Sequence, residues 1–296
     1  MIQVTNLTQI YKSGKGIFDV DFRVKEGEVF GYLGPNGAGK TTTIRNLLGF
    51  ANATKGSAPI NGKDCSKEAA QLQSMIGYLP GEMAFFDNMT GLEFLRFMTD
   101  MRRTKNVARR DELIEQFQLD IDGKIKKMSK GMQQKLGIIT AFMHDPKVYI
   151  LDEPTSGLDP FMQNIFLALV QEEKKRGKTI LMSSHIFEEV QRSCDRAGII
   201  REGRLVSVED VNNLNEMKAK TYIVTTASKS DIIKLDSSNL DTKVLSDLKV
   251  QVSTSYPYQP FFSLLATCDV TGLEIKHDSL EDVFMKYYGE VGDFDE

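Results

Sequence analysis

Cysteine is scarce. The three present, Cys65, Cys194 and Cys268, lie far apart in 296 residues and form no CxxC pair. That excludes a disulfide framework and a cysteine-based zinc site, and it predicts buried thiols in a reducing compartment. Positive charge is not in excess either. A formal net charge of −4 argues against a general nucleic-acid binder. Long apolar runs are missing, and no stretch reaches the ~18 residues of a membrane span. The opening "MIQVTNLTQIYK" has no basic region followed by an apolar block, so no secretory leader is expected. A protein of this kind serves a membrane only through a partner. No repeat and no low-complexity tract interrupts the chain. What is there, 41% hydrophobic and 26% charged residues, is the composition of an ordinary globular protein. The length is enough for about two domains.

Residues 1 to about 33 alternate apolar and polar in "IQVTNL", "FDVDFRV" and "EVFGYL", which predicts short strands. A glycine-rich loop and a helix, "TTTIRNLLGF", follow. Residues 66–145 carry a mostly helical pattern, with Thr90 and Glu93 spaced as a capping box. From "KVYILDEP" the pattern returns to strands and helices in alternation: "ILDE", a helix near 160–176, "KTILMSSH", a helix near 186–193, then "AGIIREGRLVS". Such alternation predicts a largely parallel α/β core, with the helical block at about 80–145 inserted into it. After about residue 213 the character changes. "TYIVTT", "VQVSTS" and "FFSLLATC" read as strands. "SLEDVFMKYYG" reads as a closing helix, with Ser279 and Asp282 as its capping box and Gly289 past its end. The expected division is residues 1–213 and a small α+β domain at 214–296.

The strongest chemical signal is "GPNGAGKT", Gly34 to Thr41, a G-x4-G-K-[ST] pattern between a strand and a helix. Gly34, Pro35, Asn36, Gly37, Ala38 and Gly39 are expected to cradle the phosphates, the glycines letting the loop's backbone N–H groups wrap phosphate oxygens. Lys40 brings positive charge to the β- and γ-phosphates. Thr41 offers a hydroxyl to Mg²⁺, and Thr42 reaches a phosphate oxygen. The second signal is "VYILDEP". Four apolar residues make a buried strand, and two carboxylates follow at its C-terminal end, where open α/β sheets bind ligands. Asp152 is expected to hold Mg²⁺. Glu153 is expected to orient or deprotonate the attacking water. His185 ends the apolar strand "KTILMSSH" and is expected at the same sheet edge, in reach of the γ-phosphate. His144 and His277 have no such placement. "MSKGMQQKLG" reads as a helix start, with Ser129 as cap and Gly131 leaving bare backbone. Such an N-terminus is half of an anion site.

These parts, in this order, resemble the ATP-binding cassette (ABC) ATPases over residues 1 to about 213. "GPNGAGKTT" is similar to the Walker A loop, "VYILDEP" to Walker B, "SGLD" (Ser156 to Asp159) to the D-loop and His185 to the switch histidine. Tyr11 lies where the family places an aromatic that stacks on adenine. The resemblance implies a P-loop NTPase cassette: a RecA-like core with an inserted helical subdomain, followed by the small C-terminal α+β domain. It implies ATP and Mg²⁺ as substrate and cofactor. It also completes the half-site. In the family the signature segment contacts the ATP of a second, head-to-tail subunit. Ser129 and Gly131 keep those γ-phosphate contacts, while Lys130 and Met132 stand where glycine and glutamine are usual. Where the family has a glutamine contacting Mg²⁺, the text is "IGYLPGE". Gly81 takes that place, and the neighbouring Glu82 is the candidate substitute.

"YLPGE", the variant signature and the C-terminal extension together resemble the ATP-binding subunits of bacterial ABC-2-type exporters. That branch implies a separate membrane permease as partner, a homodimer of ATP-binding subunits, no nucleic acid, and a cytoplasmic position on the inner face of the cell membrane. The Phe- and Met-rich "AFFDNMTGLEFLRFMTDMR" suits an adaptable docking groove. Most of Phe85, Phe86, Leu92, Leu95 and Met98 are nonetheless expected in the core. The alternatives are a soluble ABC switch acting on a ribosome or DNA, and a different P-loop enzyme such as a kinase or GTPase. A single cassette without long heptad arms disfavours the first. "LDEP", "SGLD" and His185 together disfavour the second.

Overall fold

The structure is a computed structural model. It describes residues 1–65, 67–86, 88–104, 107–211, 220–254 and 257–276. The chain divides into two compact units, Met1–Val211 and Asn212–Glu296. In chain order the first runs β1 (Ile2–Ile10), β2 (Gly16–Val24), β3 (Val29–Leu33), α1 (Lys40–Leu47), β4 (Lys55–Ser57), α2 (Ala69–Met75), β5 (Ile76–Leu79), α3 (Gly91–Met101), α4 (Ala108–Gln116), α5 (Lys130–Phe142), β6 (Val148–Asp152), α6 (Pro160–Lys175), β7 (Thr179–Ser184), α7 (Phe187–Ser193), β8 (Arg196–Arg201) and β9 (Arg204–Asp210).

Six of these strands form one sheet in the order β5-β6-β7-β3-β8-β9, parallel except for β9. Every residue of β3, β6 and β7 is buried. Strands covered on both faces read as continuous apolar runs, as "VFGYL", "VYIL" and "TILM" do. β1, β2 and β4 make a separate antiparallel sheet in the order β2-β1-β4. Its strands alternate because one face is packed and the other is wet: Ile17, Val20, Phe22 and Val24 enter the core while Asp19, Asp21 and Arg23 do not. The β8–β9 hairpin turns on Glu202 and Gly203, both with positive φ, as a two-residue turn of the primed type requires. The Gly203 N–H then donates to the Ala38 carbonyl at 2.9 Å, so this turn buttresses the glycine-rich loop.

The segment expected to be mostly helical holds a strand. β5 pairs in parallel with β6 at the sheet edge, Ile76 opposite Val148 and Leu79 opposite Leu151. Four residues in a parallel sheet, three buried and Tyr78 half-buried, carry no alternation, so the surrounding helical period concealed them. The Thr90–Glu93 capping box is present, with both reciprocal hydrogen bonds, at 3.2 and 2.8 Å.

The second unit runs β10 (Lys220–Thr226), α8 (Lys229–Asp236), β11 (Asp241–Ser246), β12 (Lys249–Thr254), α9 (Gln259–Leu265) and β13 (Val270–Lys276). The strand order is β11-β12-β10-β13, all antiparallel. This is the βαββαβ arrangement of ferredoxin-like folds. Tyr222, Val224, Val250 and Val252 face Ile232, Leu235, Phe261 and Leu265 in its core. "FFSLLATC", expected as a strand, is instead largely helix α9. Phe261 and Leu265, four apart, are its buried residues, and Pro260 sits in its first turn. Cys268 is half-buried, unlike Cys65 and Cys194. The expected closing helix and His277 lie outside the described residues.

Candidate functional site

The sheet order puts β6, β7 and β3 side by side, so their C-terminal ends share one edge. Register sets the partners: Leu33 lies opposite Ser184, and Ser183 opposite Asp152. The loop from Gly34 to Gly39 leaves β3 and enters α1. Gly39 caps α1 with φ +110° and offers no side-chain cap, and a Cβ there would stand 2.6 Å from Ile17 Cγ2. Only glycine suits that backbone, and the first N–H groups of α1 are left to an anion. Tyr32 and Thr43 share a hydrogen bond of 3.1 Å that fixes α1 against β3.

Lys40 opens α1 and is only 5% exposed. Its ammonium donates to the carbonyls of Gly34 (2.5 Å) and Pro35 (3.1 Å), and lies 3.0 Å from Glu153 Oε1. That last approach is an ion pair off the hydrogen-bonding angle, since Oε1 accepts no hydrogen bond. Asp152 is 1% exposed. Thr41 donates to its Oδ2 at 2.8 Å and Ser183 to its Oδ1 at 2.5 Å. Ser183 also accepts from the Glu153 N–H at 3.0 Å. Glu153 has φ +50°, a left-handed backbone that costs a non-glycine residue ~1–2 kcal/mol and needs surrounding restraint. Its Oε2 lies 2.6 Å from His185 Nδ1, so the ring presents Nδ1–H to the carboxylate.

Two clefts meet here. One of ≈ 370 Å³ is lined by Tyr11, Lys15, residues of the glycine-rich loop, Lys40, Thr41, Thr42 and Glu153. Tyr11 is 38% exposed at its mouth. The other, ≈ 430 Å³, shares Asn36, Thr41 and Glu153 with the first and adds Glu82, Lys130, Asp152 and His185. Gly81 is the residue packed on Asp152: a Cβ there would lie 3.4 Å from Asp152 Oδ2, while Glu82 lines the cleft and is otherwise exposed. Thr41 and Asp152 together form a hard-oxygen pair beside a buried ammonium. That donor set fits Mg²⁺ bound to a polyphosphate.

Ser129 and Gly131 line neither cleft. Ser129 caps α5, accepting from the Met132 N–H at 3.2 Å. Gly131 sits on the D-loop, where a Cβ would be 2.8 Å from the Gly157 carbonyl oxygen. The Lys130 stem runs over Gly157.

Several functional contacts escaped sequence reasoning. Gln134, buried in α5, donates to the Pro154 carbonyl at 2.7 Å and more weakly to that of Glu153 at 3.5 Å. Thr155 and Ser184 both donate to Glu189 on α7. Burial pushes the Glu189 carboxyl above the ordinary carboxylate range. Ser183, two residues before His185 in "MSSH", was the one with a readable signal, since alternation places every second residue of a strand on the same face.

Among the described residues, no helix is long and apolar enough to cross a membrane. A sequence profile of the ABC transporter family matches residues 17–156. The bacitracin transport ATP-binding protein BcrA of Bacillus licheniformis is 34% identical, covering 98% of this chain and 97% of its own. The linearmycin resistance ATP-binding protein LnrL of Bacillus subtilis is 32% identical, covering 98% of each. A solved ATP-binding subunit of an ABC transporter superposes with a TM-score of 0.67 at 31% identity, over 73% of this chain and 92% of its own.

Proposed function

The chain belongs to the ABC transporter ATP-binding proteins, and from that premise we propose that it energises an ABC-2-type exporter as one half of an ATP-sandwiched, head-to-tail homodimer. Family membership makes it an ATP-binding and ATP-hydrolysing subunit that dimerises and works with a membrane permease. The observation that carries the site reading is the cluster at one sheet edge, joined by direct contacts of Lys40 with Glu153, Thr41 with Asp152 and His185 with Glu153.

ATP enters with its triphosphate over the glycine-rich loop and the open N-terminus of α1. Lys40 neutralises the β- and γ-phosphates, Thr42 reaches a phosphate oxygen, and Tyr11 faces the adenine. Thr41 and Asp152 would hold Mg²⁺, which would offset the charge on the phosphate oxygens. Glu153 takes a proton from the attacking water. The water oxygen bonds to the γ-phosphorus, the bond from that phosphorus to the β–γ bridging oxygen breaks, and ADP and phosphate result. His185 holds the Glu153 carboxylate through Nδ1–H at the edge where the γ-phosphate would lie. Ser129 and Gly131 act on the nucleotide of the second subunit, which accounts for their distance from this chain's own loop. Glu82 borders the metal pocket in place of the usual glutamine.

Half-exposed Phe86 (54%), Phe97 (36%) and Met101 (64%) form the apolar surface offered to the permease. Phe86 and Phe97 pack edge to face at 5.5 Å, while Leu95 is buried in the core. This docking holds the cassette at the cytoplasmic face of the membrane. The second unit serves as an accessory domain. The relatives named for transport and resistance favour this reading over a soluble switch on a ribosome or DNA.

Glu153→Gln tests it. The variant is expected to bind ATP and lose about 10²–10⁴ in turnover, the scale of a general base. Trapped with ATP in its host, it should bring down a polytopic membrane protein. Near-normal turnover would remove Glu153 from the base role, and recovery of ribosomes or DNA instead would overturn the exporter assignment.

A further inference from the structure

We propose that Glu189 is a positioning residue for ATP hydrolysis: its buried carboxylate holds the chain just after Glu153 and the chain just before His185 at one fixed separation. Glu189 lies on α7 and is 6% exposed. Its Oε1 accepts from Thr155 Oγ1 at 2.5 Å and its Oε2 from Ser184 Oγ at 2.7 Å. Thr155 is two residues past Glu153 and 3% exposed, and Ser184 adjoins His185 and is fully buried. Ser184 Oγ also accepts from the Ile186 N–H at 2.9 Å, which pins the turn on the other side of His185. None of Glu189, Thr155 and Ser184 lines either cleft, so the carboxylate acts through the two loops and not on the nucleotide.

A carboxylate is a costly choice for a purely structural bridge. Its partners are hydroxyls, not cations, and burying a charge without a counter-ion costs several kcal/mol. What it supplies is geometry. Two oxygens on one rigid plane, each fixed by a hydroxyl, set the distance between the loops that leave β6 and β7. The Glu153–His185 contact of 2.6 Å depends on that distance, and Glu153 is held in a left-handed backbone that relaxes unless restrained.

The proposal rests on Glu153 being the catalytic base. The test uses the full chain, with steady-state turnover and ATP affinity measured separately. Glu189→Ala should lower kcat by about 10- to 100-fold, the loss expected of a displacement near 1 Å at a reacting group. ATP affinity should stay within about twofold, because the phosphate loop hangs on β3 and α1. Glu189→Gln should recover kcat to within about threefold of the parent, since an amide accepts from one hydroxyl and donates to the other. Thr155→Val removes one arm at constant shape. It should give an intermediate loss, and none further when combined with Glu189→Ala. It decides the matter if Glu189→Ala does not fold. Unchanged kcat in Thr155→Val or folded Glu189→Ala, a Gln variant no better than Ala, or parallel loss of ATP affinity would overturn the proposal. Glu153→Gln assayed alongside separates the two failures. If it keeps its turnover the base reading falls, and if it alone loses turnover only the positioning role falls.

Discussion

Ser183→Ala deletes one oxygen atom and should damage both stability and turnover. The hydroxyl is fully buried and has two partners: it donates to Asp152 Oδ1 at 2.5 Å and accepts from the Glu153 N–H at 3.0 Å. A hydrogen bond to a charged acceptor contributes ~1.5–3 kcal/mol, and a buried N–H left without a partner costs ~1–3 kcal/mol. Asp152 keeps its Thr41 contact, and some relaxation around the small cavity is expected. The net loss should therefore be roughly 2–4 kcal/mol of unfolding free energy, read from urea titration of the first unit's transition. Turnover should fall as well. The Glu153 N–H restrains a residue at φ +50°, and releasing it lets the carboxylate leave the position set by Lys40 and His185. A fall in kcat of about 10- to 100-fold is expected, with a higher Mg²⁺ requirement because Asp152 loses its orienting donor. A stability change under ~1 kcal/mol together with unchanged Mg²⁺ dependence would show that Ser183 restrains neither carboxylate.

Other outcomes follow from the same geometry. Lys40→Ala removes a charge-assisted contact to phosphate and should weaken ATP binding by about 10- to 100-fold in a fluorescent-nucleotide titration; unchanged affinity would count against the loop's phosphate role. Ser129→Arg should leave ATP binding to the chain's own loop intact, because Ser129 lines neither cleft, yet block ATP-dependent dimerisation in gel filtration. Dimers that still close would refute the cross-subunit role. His144 gives a pH test. Burial, then the nearby Arg102 charge, pushes its pKa down to about 4 from 6.5. The neutral ring is the form the fold prefers, so stability is complete above about pH 6.5 and is lost as pH falls toward about 4, by at most ~3 kcal/mol. Urea midpoints at pH 7 and pH 5 should differ less in His144→Asn than in the parent; an equal difference would remove His144 as the source.

Much of the site was legible in the linear chain because its chemistry is carried by short contiguous motifs. The run from Gly34 to Thr41 needs a strand before it and a helix after it, and both are readable from a change of period. "VYILDEP" places its carboxylates at a strand end for the same reason. The capping box of α3 needs only four residues. Other features were hidden by burial or distance. β5 was masked because a four-residue parallel strand, buried at three of its positions, is too short to show a period of its own. α9 was misread because Phe261 and Leu265 bury a helical face that looks like a strand run when short.

The sequence by itself determined the ingredients: an anion-wrapping loop, a lysine at its end, two carboxylates in tandem, and a helix start with nothing beside it to bind. These are local, fixed by backbone freedom and side-chain type within a few residues. Tertiary structure decided how they meet. The sheet order β6-β7-β3 brings Asp152, His185 and Lys40 together across more than a hundred residues, since parallel strands joined by crossovers can neighbour in any order. It also decided the supports. Ser183, Gln134 and Glu189 reach the Glu153 loop from three other elements, β7, α5 and α7, and the hydrogen bonds that Gln134 and Glu189 make to distant residues leave no trace in composition or spacing.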